Sequence, residues 1–259
     1  MNADKKTRAP RTTCHAHIKS ILVISLSWIG DVLLTTPVLG VLKDNFPPAK
    51  ITVLAGKIAY PLLERHVLVD RVLIFDNHGV HRGWRGIARL IGELRRDRYD
   101  MVVDLRNTLI PYFLRTRRRI TAHRTHMRHR NVRGRHAIDR HLDVLADHGI
   151  PITRREMILS VPEDVSAKID IMLKDIKWLN GNEIIAVLPG ARNKYKEYPP
   201  EQFSAVVNAL AEHGDRKFAM LGGESDIQAA AQIVEAAPEV IVTLLNPYNM
   251  FVYVTGDTG

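Results

Sequence analysis

The stretch that decides the fold is residues 21–37, ILVISLSWIGDVLLTTP. An apolar run rich in β-branched residues ends in a short loop, and an amphipathic pattern begins at Asp31. This order predicts the first strand, loop and helix of a nucleotide-binding α/β fold, in which a helix N-terminus commonly receives a phosphate. The loop has one glycine, Gly30, where a dinucleotide fingerprint has three, and an acidic residue stands where the phosphate would lie. The pattern therefore predicts the fold but not a phosphate site at this loop.

Short apolar runs alternate with helical patterns along the chain. The predicted strands are 21–26, 50–55, 71–75, 100–105, 118–122, 183–188, 217–221, 240–245 and 250–255. The predicted helices are 31–45, 57–65, 84–97, 108–115, 138–148, 163–178, 200–213 and 224–237. Such alternation indicates parallel strands in doubly wound α/β sheets. Two such series predict two Rossmann-like domains facing a cleft, with ligands bound at the carboxyl ends of the strands.

We expect three segments: a disordered basic tail at 1–19, an N-terminal domain at 20–160 and a C-terminal domain at 161–259. The second series has one irregularity, because only NPYN separates the strand ending near Leu245 from the strand starting near Met250. Parallel neighbours need a crossover of about a dozen residues. Either these strands are not parallel neighbours or a helix is missing. The last residues, GDTG, resemble a turn that opens another helix, so we expect the second domain to be incomplete.

The charge balance predicts an anionic partner. The chain of 259 residues has 37 lysines and arginines against 28 acidic residues, a net charge of +9, which suits a nucleic acid, a membrane surface or a phosphorylated substrate. A single cysteine, Cys14, excludes an intramolecular disulfide framework and fits a reducing compartment. No apolar run approaches the roughly 18–20 residues that span a bilayer. The basic start is not followed by a signal-peptide cleavage site, so we expect a cytoplasmic protein.

Segment 115–141 contains ten arginines, five histidines and one aspartate. His123, His126 and His129 recur at every third position, but the interleaved arginines and the lack of a cysteine or an acidic cluster argue against a metal site. Arginine makes bidentate contacts with phosphate, so a phosphate-rich partner is better supported. The segment has no aromatic residue to stack on bases, which argues against single-stranded nucleic acid. The alternative is a mobile surface loop.

A second candidate site is the loop 189–203, PGARNKYKEYPPEQF, between a predicted strand and a helix. Gly190 gives the backbone freedom, while Arg192, Lys194 and Lys196 gather positive charge beside the strand end. This combination suits a diphosphate held by backbone amides and charge-assisted hydrogen bonds. The alternative is a solvated basic loop.

Three further positions each allow two interpretations. In GDTG (256–259), the backbone and Thr258 could bind an anion, or the segment could be a plain turn. In LGGES (221–225), Glu224 could accept hydrogen bonds from a ribose or could simply begin a helix. Asp31 could be a first-turn carboxylate stabilised by the helix macrodipole, or a general base that takes a proton from a hydroxyl.

Together these motifs resemble glycosyltransferase family 9, the bacterial lipopolysaccharide heptosyltransferases. The pattern S-x-x-G-D-x-x-x-x-x-P is matched by Ser27, Gly30, Asp31 and Pro37. The pattern PGAR…K-x-[WY]-P is matched by Pro189, Gly190, Ala191, Arg192, Lys196, Tyr198 and Pro199. LGG and a terminal DTG match as well, so the resemblance covers residues 20–259. Family members usually carry a helix between the last two strands and further C-terminal helices, from which this chain departs.

The resemblance implies a GT-B enzyme with two Rossmann-like domains. It would be an inverting, metal-independent glycosyltransferase that moves heptose from ADP-heptose to the phosphorylated lipopolysaccharide inner core. No cofactor is implied beyond the ADP-sugar donor. The reaction would take place at the cytoplasmic face of the inner membrane, with peripheral contact between the protein and anionic lipid, and no transmembrane segment is expected.

The resemblance also implies residue roles. Asp31 corresponds to the general base of the family, and Lys196 corresponds to its phosphate-contacting lysine. The predicted donor-binding residues are Lys196, Arg192, Lys194, Gly190, Glu224, Asp257, Thr258 and Gly259. The predicted acceptor-binding residues are Ser27, Gly30, Arg124 and Arg128. Two alternatives stay open: a non-catalytic basic module that binds nucleic acid or anionic lipid through 115–141, and another nucleotide-sugar transferase of the same fold.

Overall fold

The computed structural model describes residues 17–123, 125, 134–174, 183–191, 194–212, 216–236, 241–245 and 250–254. The chain divides into two compact units, with the boundary between Pro162 and Glu163. Within the described ranges, no helix is both long enough and apolar enough to cross a bilayer.

The first unit contains a five-stranded sheet in which every pair of neighbouring strands is parallel. Its strands are β1 (Ser20–Ile24), β2 (Lys50–Ala55), β3 (Arg71–Ile74), β4 (Met101–Asp104) and β5 (Arg118–Thr121). The strand order is β3–β2–β1–β4–β5. The chain therefore builds one half of the sheet from β1 outward and the other half from β4 outward. The topological switch point lies between β1 and β4, and ligands of doubly wound folds bind at this point.

Both faces of this sheet are covered by helices. The helices are α1 (Ile29–Leu33), α2 (Thr36–Asn45), α3 (Tyr60–Leu63), α4 (Gly83–Leu94), α5 (Ile110–Phe113) and α6 (Ala137–Ala146). Successive strand residues point to opposite faces, so Ile21 and Val23 join the core under α2 and α6, while Leu22 and Ile24 join the core under α4 and α5. All four are fully buried, and each such side chain contributes about 1.5–3 kcal/mol by leaving water.

The predicted single helix at 31–45 is wrong, because the chain forms α1 and α2 with a break between them. Pro37 has no N–H to donate to the carbonyl of Leu33, so a continuous helix would leave that carbonyl without its usual partner. The hydroxyl of Thr36 donates to the Leu33 carbonyl instead, at 2.8 Å. The other predicted helices are present with shifted ends.

The second unit contains a mixed sheet in the order β6–β7–β9–β10–β8. Its strands are β6 (Glu183–Val187), β7 (Arg216–Met220), β8 (Gly222–Gly223), β9 (Ile241–Leu245) and β10 (Met250–Val254). Its helices are α7 (Glu163–Lys174), α8 (Pro200–Ala211) and α9 (Ile227–Ala236). The core is formed by side chains of β6, β7, α8 and α9, with Phe218 and Ile233 fully buried.

The irregular spacing before β10 is explained by the direction of that strand. Strands β6, β7 and β9 are parallel, but β10 runs antiparallel to β9, with Phe251 opposite Leu245 and Tyr253 opposite Thr243. A link of four residues is long enough to join antiparallel neighbours. Of the two alternatives, the first is therefore correct: these strands are not parallel neighbours. The predicted α/β class is confirmed in both units.

Candidate functional site

The loops that follow β1 and β4 flank the switch point of the first sheet. The loop after β1 carries Ser27 and leads into α1, whose first turn holds Gly30 and Asp31; these are three of the residues predicted from sequence. Asp104 is the last residue of β4, and Arg106 follows two residues later in the next loop; neither was predicted. Because β1 and β4 are parallel neighbours, both loops leave the sheet at the same edge.

The position of Asp31 is fixed by the hydrogen bonds of α1. Asp31 lies in the first turn of this helix and is exposed. The hydroxyl of Thr35 donates to the Val32 carbonyl at 2.7 Å and is bonded to the hydroxyl of Ser25 at 3.0 Å, so α1 is tied to the end of β1. In the part of the chain that the structure describes, no hydrogen bond or ion pair engages the Asp31 carboxylate. The carboxylate is therefore exposed without a protein partner among these residues.

Gly30 and Gly56 both lie at this edge of the sheet, and packing requires glycine only at Gly56. A side chain added at Gly30 would meet no heavy atom within 4 Å, and Gly30 has no positive φ, so neither packing nor backbone conformation requires glycine there. The result is open space beside Asp31. A Cβ at Gly56, after β2, would lie 2.6 Å from Cβ of Ser27, so that glycine allows close packing against the β1 loop.

The β4 loop is organised around one buried carboxylate. Asp104 has no exposed surface, and it accepts hydrogen bonds from the Arg106 N–H at 2.9 Å, the Thr108 N–H at 2.6 Å and the Thr108 hydroxyl at 2.9 Å. Asn107 takes the left-handed conformation, with φ of 63°, which curves the loop around the carboxylate. Burial raises the pKa of Asp104, and the hydrogen bonds from the loop oppose that rise.

Arg106 joins the two loops. Its Nη1 donates to the Ser27 hydroxyl at 2.8 Å, and its guanidinium carbon lies 4.7 Å from the centre of the Phe75 ring. Burial lowers the pKa of the Arg106 guanidinium, while the charge of Asp104 opposes the change. Sequence reasoning missed Arg106 because Ser27 is 79 residues away along the chain. The available signal was the DLRNT segment, in which a charged residue ends an apolar strand.

In the second unit, the predicted diphosphate loop follows β6. Lys196 ends a short 3₁₀ turn, Lys194–Lys196, and its side chain is exposed. Tyr198 packs edge-on against Phe203 of α8, with ring centres 5.3 Å apart. Pro200 is the first residue of α8, a position where the missing N–H of proline removes no helical hydrogen bond.

Gly190 has a tighter constraint than sequence reasoning predicted. A Cβ at Gly190 would lie 2.2 Å from the carboxyl carbon of Asp226, so close approach, not backbone freedom, requires glycine there. Asp226 accepts hydrogen bonds from the Gly223 N–H at 2.8 Å and from the Ser225 hydroxyl at 2.9 Å. A carboxylate missed by sequence reasoning, in the turn that follows β8, therefore lies against the loop that follows β6.

The remaining predicted residues divide into two groups. The backbones of Lys194 and Glu224 belong to two 3₁₀ turns, Lys194–Lys196 and Glu224–Asp226. The following predicted residues lie outside the described ranges: Arg124, Arg128, Arg192, Asp257, Thr258 and Gly259. His126 and His129 lie outside them too, and the described residues contain no cluster of three or more metal-ligating side chains.

Several arginines of segment 115–141 are used inside the first unit. Arg118 donates to the His148 carbonyl, and Arg119 donates to the carbonyls of Pro111 and Leu114, both at 2.9 Å. Arg135 makes a bidentate ion pair with Asp143, at 2.6 and 3.1 Å. These side chains brace β5 and α6, so the described part of the segment is less available for an anionic partner than its composition predicts.

The chain is similar to known proteins over most of its length. The sequence profile of glycosyltransferase family 9 (heptosyltransferase) matches residues 87–251. Lipopolysaccharide heptosyltransferase 3 of Escherichia coli strain K12 is 28% identical over 214 residues, which cover 76% of this chain and 61% of the relative. Lipopolysaccharide heptosyltransferase 2 of Salmonella typhimurium is 27% identical over 236 residues, covering 83% and 67%. The chain therefore spans about three fifths to two thirds of these relatives.

Solved structures resemble the chain in fold. The crystal structure of a family 9 glycosyl transferase from Veillonella parvula superposes with a TM-score of 0.72 at 22% identity, covering 84% of this chain and 67% of that one. The Escherichia coli ADP-heptose lps heptosyltransferase II superposes with a TM-score of 0.60 at 23% identity, covering 89% and 70%. At these identities the similarity establishes the fold alone, and it confirms the predicted GT-B class.

Proposed function

The chain belongs to glycosyltransferase family 9, the heptosyltransferase family, and from this premise we propose that it transfers heptose to the lipopolysaccharide inner core. The donor we propose is ADP-heptose, and the reaction inverts the anomeric centre without a metal ion. The observation that carries the proposal is the Asp31 carboxylate, which is exposed beside the open space at Gly30 at the switch point of the first sheet.

In the proposed reaction, Asp31 acts as a general base. A sugar hydroxyl is a weak nucleophile until a base removes its proton, and an ionised carboxylate within hydrogen-bonding reach can do so. The acceptor oxygen then forms a bond to the anomeric carbon from the face opposite the diphosphate. The bond between that carbon and the diphosphate oxygen breaks, its electron pair leaves with ADP, and the proton stays on Asp31.

The leaving group needs positive charge and hydrogen-bond donors. Lys196 supplies an exposed ammonium in the loop after β6, and the match to the K-x-[WY]-P pattern supports its role at the diphosphate. Charge that develops on the diphosphate as the bond breaks is stabilised by such a cation and by backbone amides. Gly190 keeps that loop close to Asp226.

Substitution of Asp31 by asparagine tests the base role. Asp31→Asn keeps the shape of the side chain and removes the proton acceptor, so kcat should fall by about 10²–10⁴-fold while ADP affinity changes less than about twofold. Transfer is measured as ADP release from ADP-heptose with heptose-free lipopolysaccharide core. The matched control is Glu163→Gln, an exposed acid in the first turn of α7, which should leave kcat unchanged.

Two results would count against the proposal. A variant Asp31→Asn that keeps more than about a tenth of the wild-type kcat excludes a base role. Joint loss of transfer and ADP binding, with Glu163→Gln normal, would mean that Asp31 supports the structure of the site instead.

We also propose that the protein works at the cytoplasmic face of the inner membrane and contacts its lipid headgroups. The net charge of +9 supports this, because a basic surface is attracted to anionic lipid over about a Debye length. Co-sedimentation with vesicles should then be strong for anionic lipid, weak for zwitterionic lipid and reduced by salt. Equal binding to both vesicle types would contradict the proposal.

A further inference from the structure

Arg106 is a cation that the fold positions but does not neutralise. A guanidinium has five N–H donors, and in Arg106 one nitrogen bonds to the Ser27 hydroxyl while one face lies over Phe75. Within the ranges that the structure describes, no carboxylate forms an ion pair with Arg106. The side chain is only partly exposed, and burial lowers its pKa more than the charge of Asp104 raises it, so the lost hydration is only partly compensated. An anion bound at this position would supply that compensation.

Asp104, the carboxylate whose charge acts on Arg106, already accepts hydrogen bonds from its own loop. Asp104 is two residues away, but its two oxygens accept three hydrogen bonds from the loop itself. Asp104 therefore shapes the loop and positions Arg106, while no residue of the described ranges other than Ser27 accepts a hydrogen bond from the guanidinium. Phe75 is almost fully buried and supports the plane of the guanidinium, and Ser27 orients it from the β1 loop. Both contacts reduce the conformational entropy that Arg106 loses when it binds a ligand.

We propose that Arg106 binds an anionic group of the acceptor, a carboxylate or a phosphate, and thereby holds the acceptor hydroxyl near Asp31. This inference rests on the proposed function. The chemical class follows from the planar guanidinium, which pairs with either anion through two parallel hydrogen bonds. The acceptor is favoured over the donor because Arg106 follows β4 and Asp31 follows its neighbour β1 at the same edge of the sheet, whereas the loop matched to the diphosphate belongs to the second unit.

The test compares Arg106→Gln and Arg106→Lys with wild type on three acceptors. The acceptors are heptose-free lipopolysaccharide core, the same core after phosphatase treatment, and the same core with its carboxyl groups methylated. For Arg106→Gln the acceptor KM should rise about tenfold or more on the untreated core, with the donor KM within about twofold. Arg106→Lys should recover only part of the loss, because an ammonium lacks the fork of donors.

The treated acceptors identify the anion. If Arg106 contacts a phosphate, wild type and Arg106→Gln should have the same acceptor KM on the phosphatase-treated core. If Arg106 contacts a carboxylate, the two proteins should have the same acceptor KM on the methylated core. The matched control is Arg71→Gln. Arg71 begins β3 at the opposite edge of the sheet and pairs with Asp97 at 2.8 Å. The variant Arg71→Gln therefore removes the same charge as Arg106→Gln, but away from the site. Its acceptor KM should stay near that of wild type.

An equal loss on all three acceptors would overturn the inference, because Arg106 would then only brace the β1 and β4 loops through Ser27. Thermal unfolding shows whether each variant is folded. If Arg106→Gln does not fold, Arg106→Lys is compared with wild type instead.

Calorimetric titration of the protein with the three acceptors, in the absence of donor, separates this inference from the proposed function. Binding that depends on Arg106 and on one anion, without any transfer by wild type, supports the inference and refutes the proposed function. Transfer that does not depend on Arg106 supports the proposed function and refutes this inference. Absence of acceptor binding by wild type overturns the inference.

Discussion

Replacement of Gly190 by alanine should destabilise the second unit through one identifiable clash. The added Cβ would lie 2.2 Å from the carboxyl carbon of Asp226 and 2.3 Å from each carboxylate oxygen, so the Asp226 side chain must rotate away. It would then lose the Gly223 N–H at 2.8 Å and the Ser225 hydroxyl at 2.9 Å. Hydrogen bonds to a charged group contribute about 1.5–3 kcal/mol each, but water replaces part of this at a partly exposed site. We expect a loss of about 2 kcal/mol.

A double-mutant cycle isolates that clash. Urea unfolding followed by far-UV circular dichroism gives the unfolding free energy of wild type, Gly190→Ala, Asp226→Ala and the double variant. With Asp226 shortened to alanine, the Gly190→Ala change should cost less than about 0.5 kcal/mol, which gives a coupling of about 1.5–2 kcal/mol.

The control for the cycle is Gly92→Ala. Gly92 lies inside α4, where an added Cβ meets nothing within 4 Å, so alanine should stabilise by about 0.5–1 kcal/mol. Additive effects of the changes at 190 and 226 would refute the close approach of Gly190 to Asp226.

Two further predictions concern titration. Asp104→Asn should lower the unfolding free energy by about 1–3 kcal/mol, because an amide cannot accept every hydrogen bond that the loop donates. Since burial raises the folded pKa of Asp104 above 3.8, the stability contributed by protonation is complete below the unfolded pKa and is lost as pH rises through the folded pKa. The difference in unfolding free energy between wild type and Asp104→Asn should therefore shrink as pH rises from the unfolded pKa through the folded pKa, and growth over that interval would contradict the burial argument. Burial and then the neighbouring Asp97 raise the pKa of Tyr99 to about 12, so an ultraviolet absorbance titration should lose its latest-titrating phenol in Tyr99→Phe. In Asp97→Asn that phenol should titrate at a lower pH, but still above pH 10. If the titration is unchanged in both variants, the assignment to Tyr99 is wrong.

Much of the fold was predictable because its signals are local. All nine predicted strands are present, since runs such as ILVISL must bury both faces and can do so only inside a helix-covered sheet. The failed prediction of one helix at 31–45 also has a local cause, because Pro37 was visible and a proline inside a helix pattern marks a boundary. The two-residue strand β8 was missed, since Gly222 and Gly223 carry no apolar pattern.

The candidate site divides between sequence and tertiary structure. A strand-to-helix pattern and a family motif were enough to identify Ser27, Gly30 and Asp31, because these residues are at most four positions apart in the sequence. Neither pattern could show that the Asp31 carboxylate lacks a partner among the described residues or that open space adjoins Gly30. Their proposed catalytic roles stay predictions for the kinetic tests above.

Contacts between loops that are distant in sequence could be identified only once the strand order was known. By itself the sequence determined where strands, helices and the Asp31 loop lie, because hydrophobic period and turn chemistry act over a few residues. Only the tertiary structure decided that β4 is the neighbour of β1, which brings Arg106 to Ser27, and that the turn after β8 meets the loop after β6, which brings Asp226 to Gly190. Hydrophobic period states which side of a strand is buried but not which strand lies beside it, so contacts between loops distant in sequence depend on the pairing of whole strands.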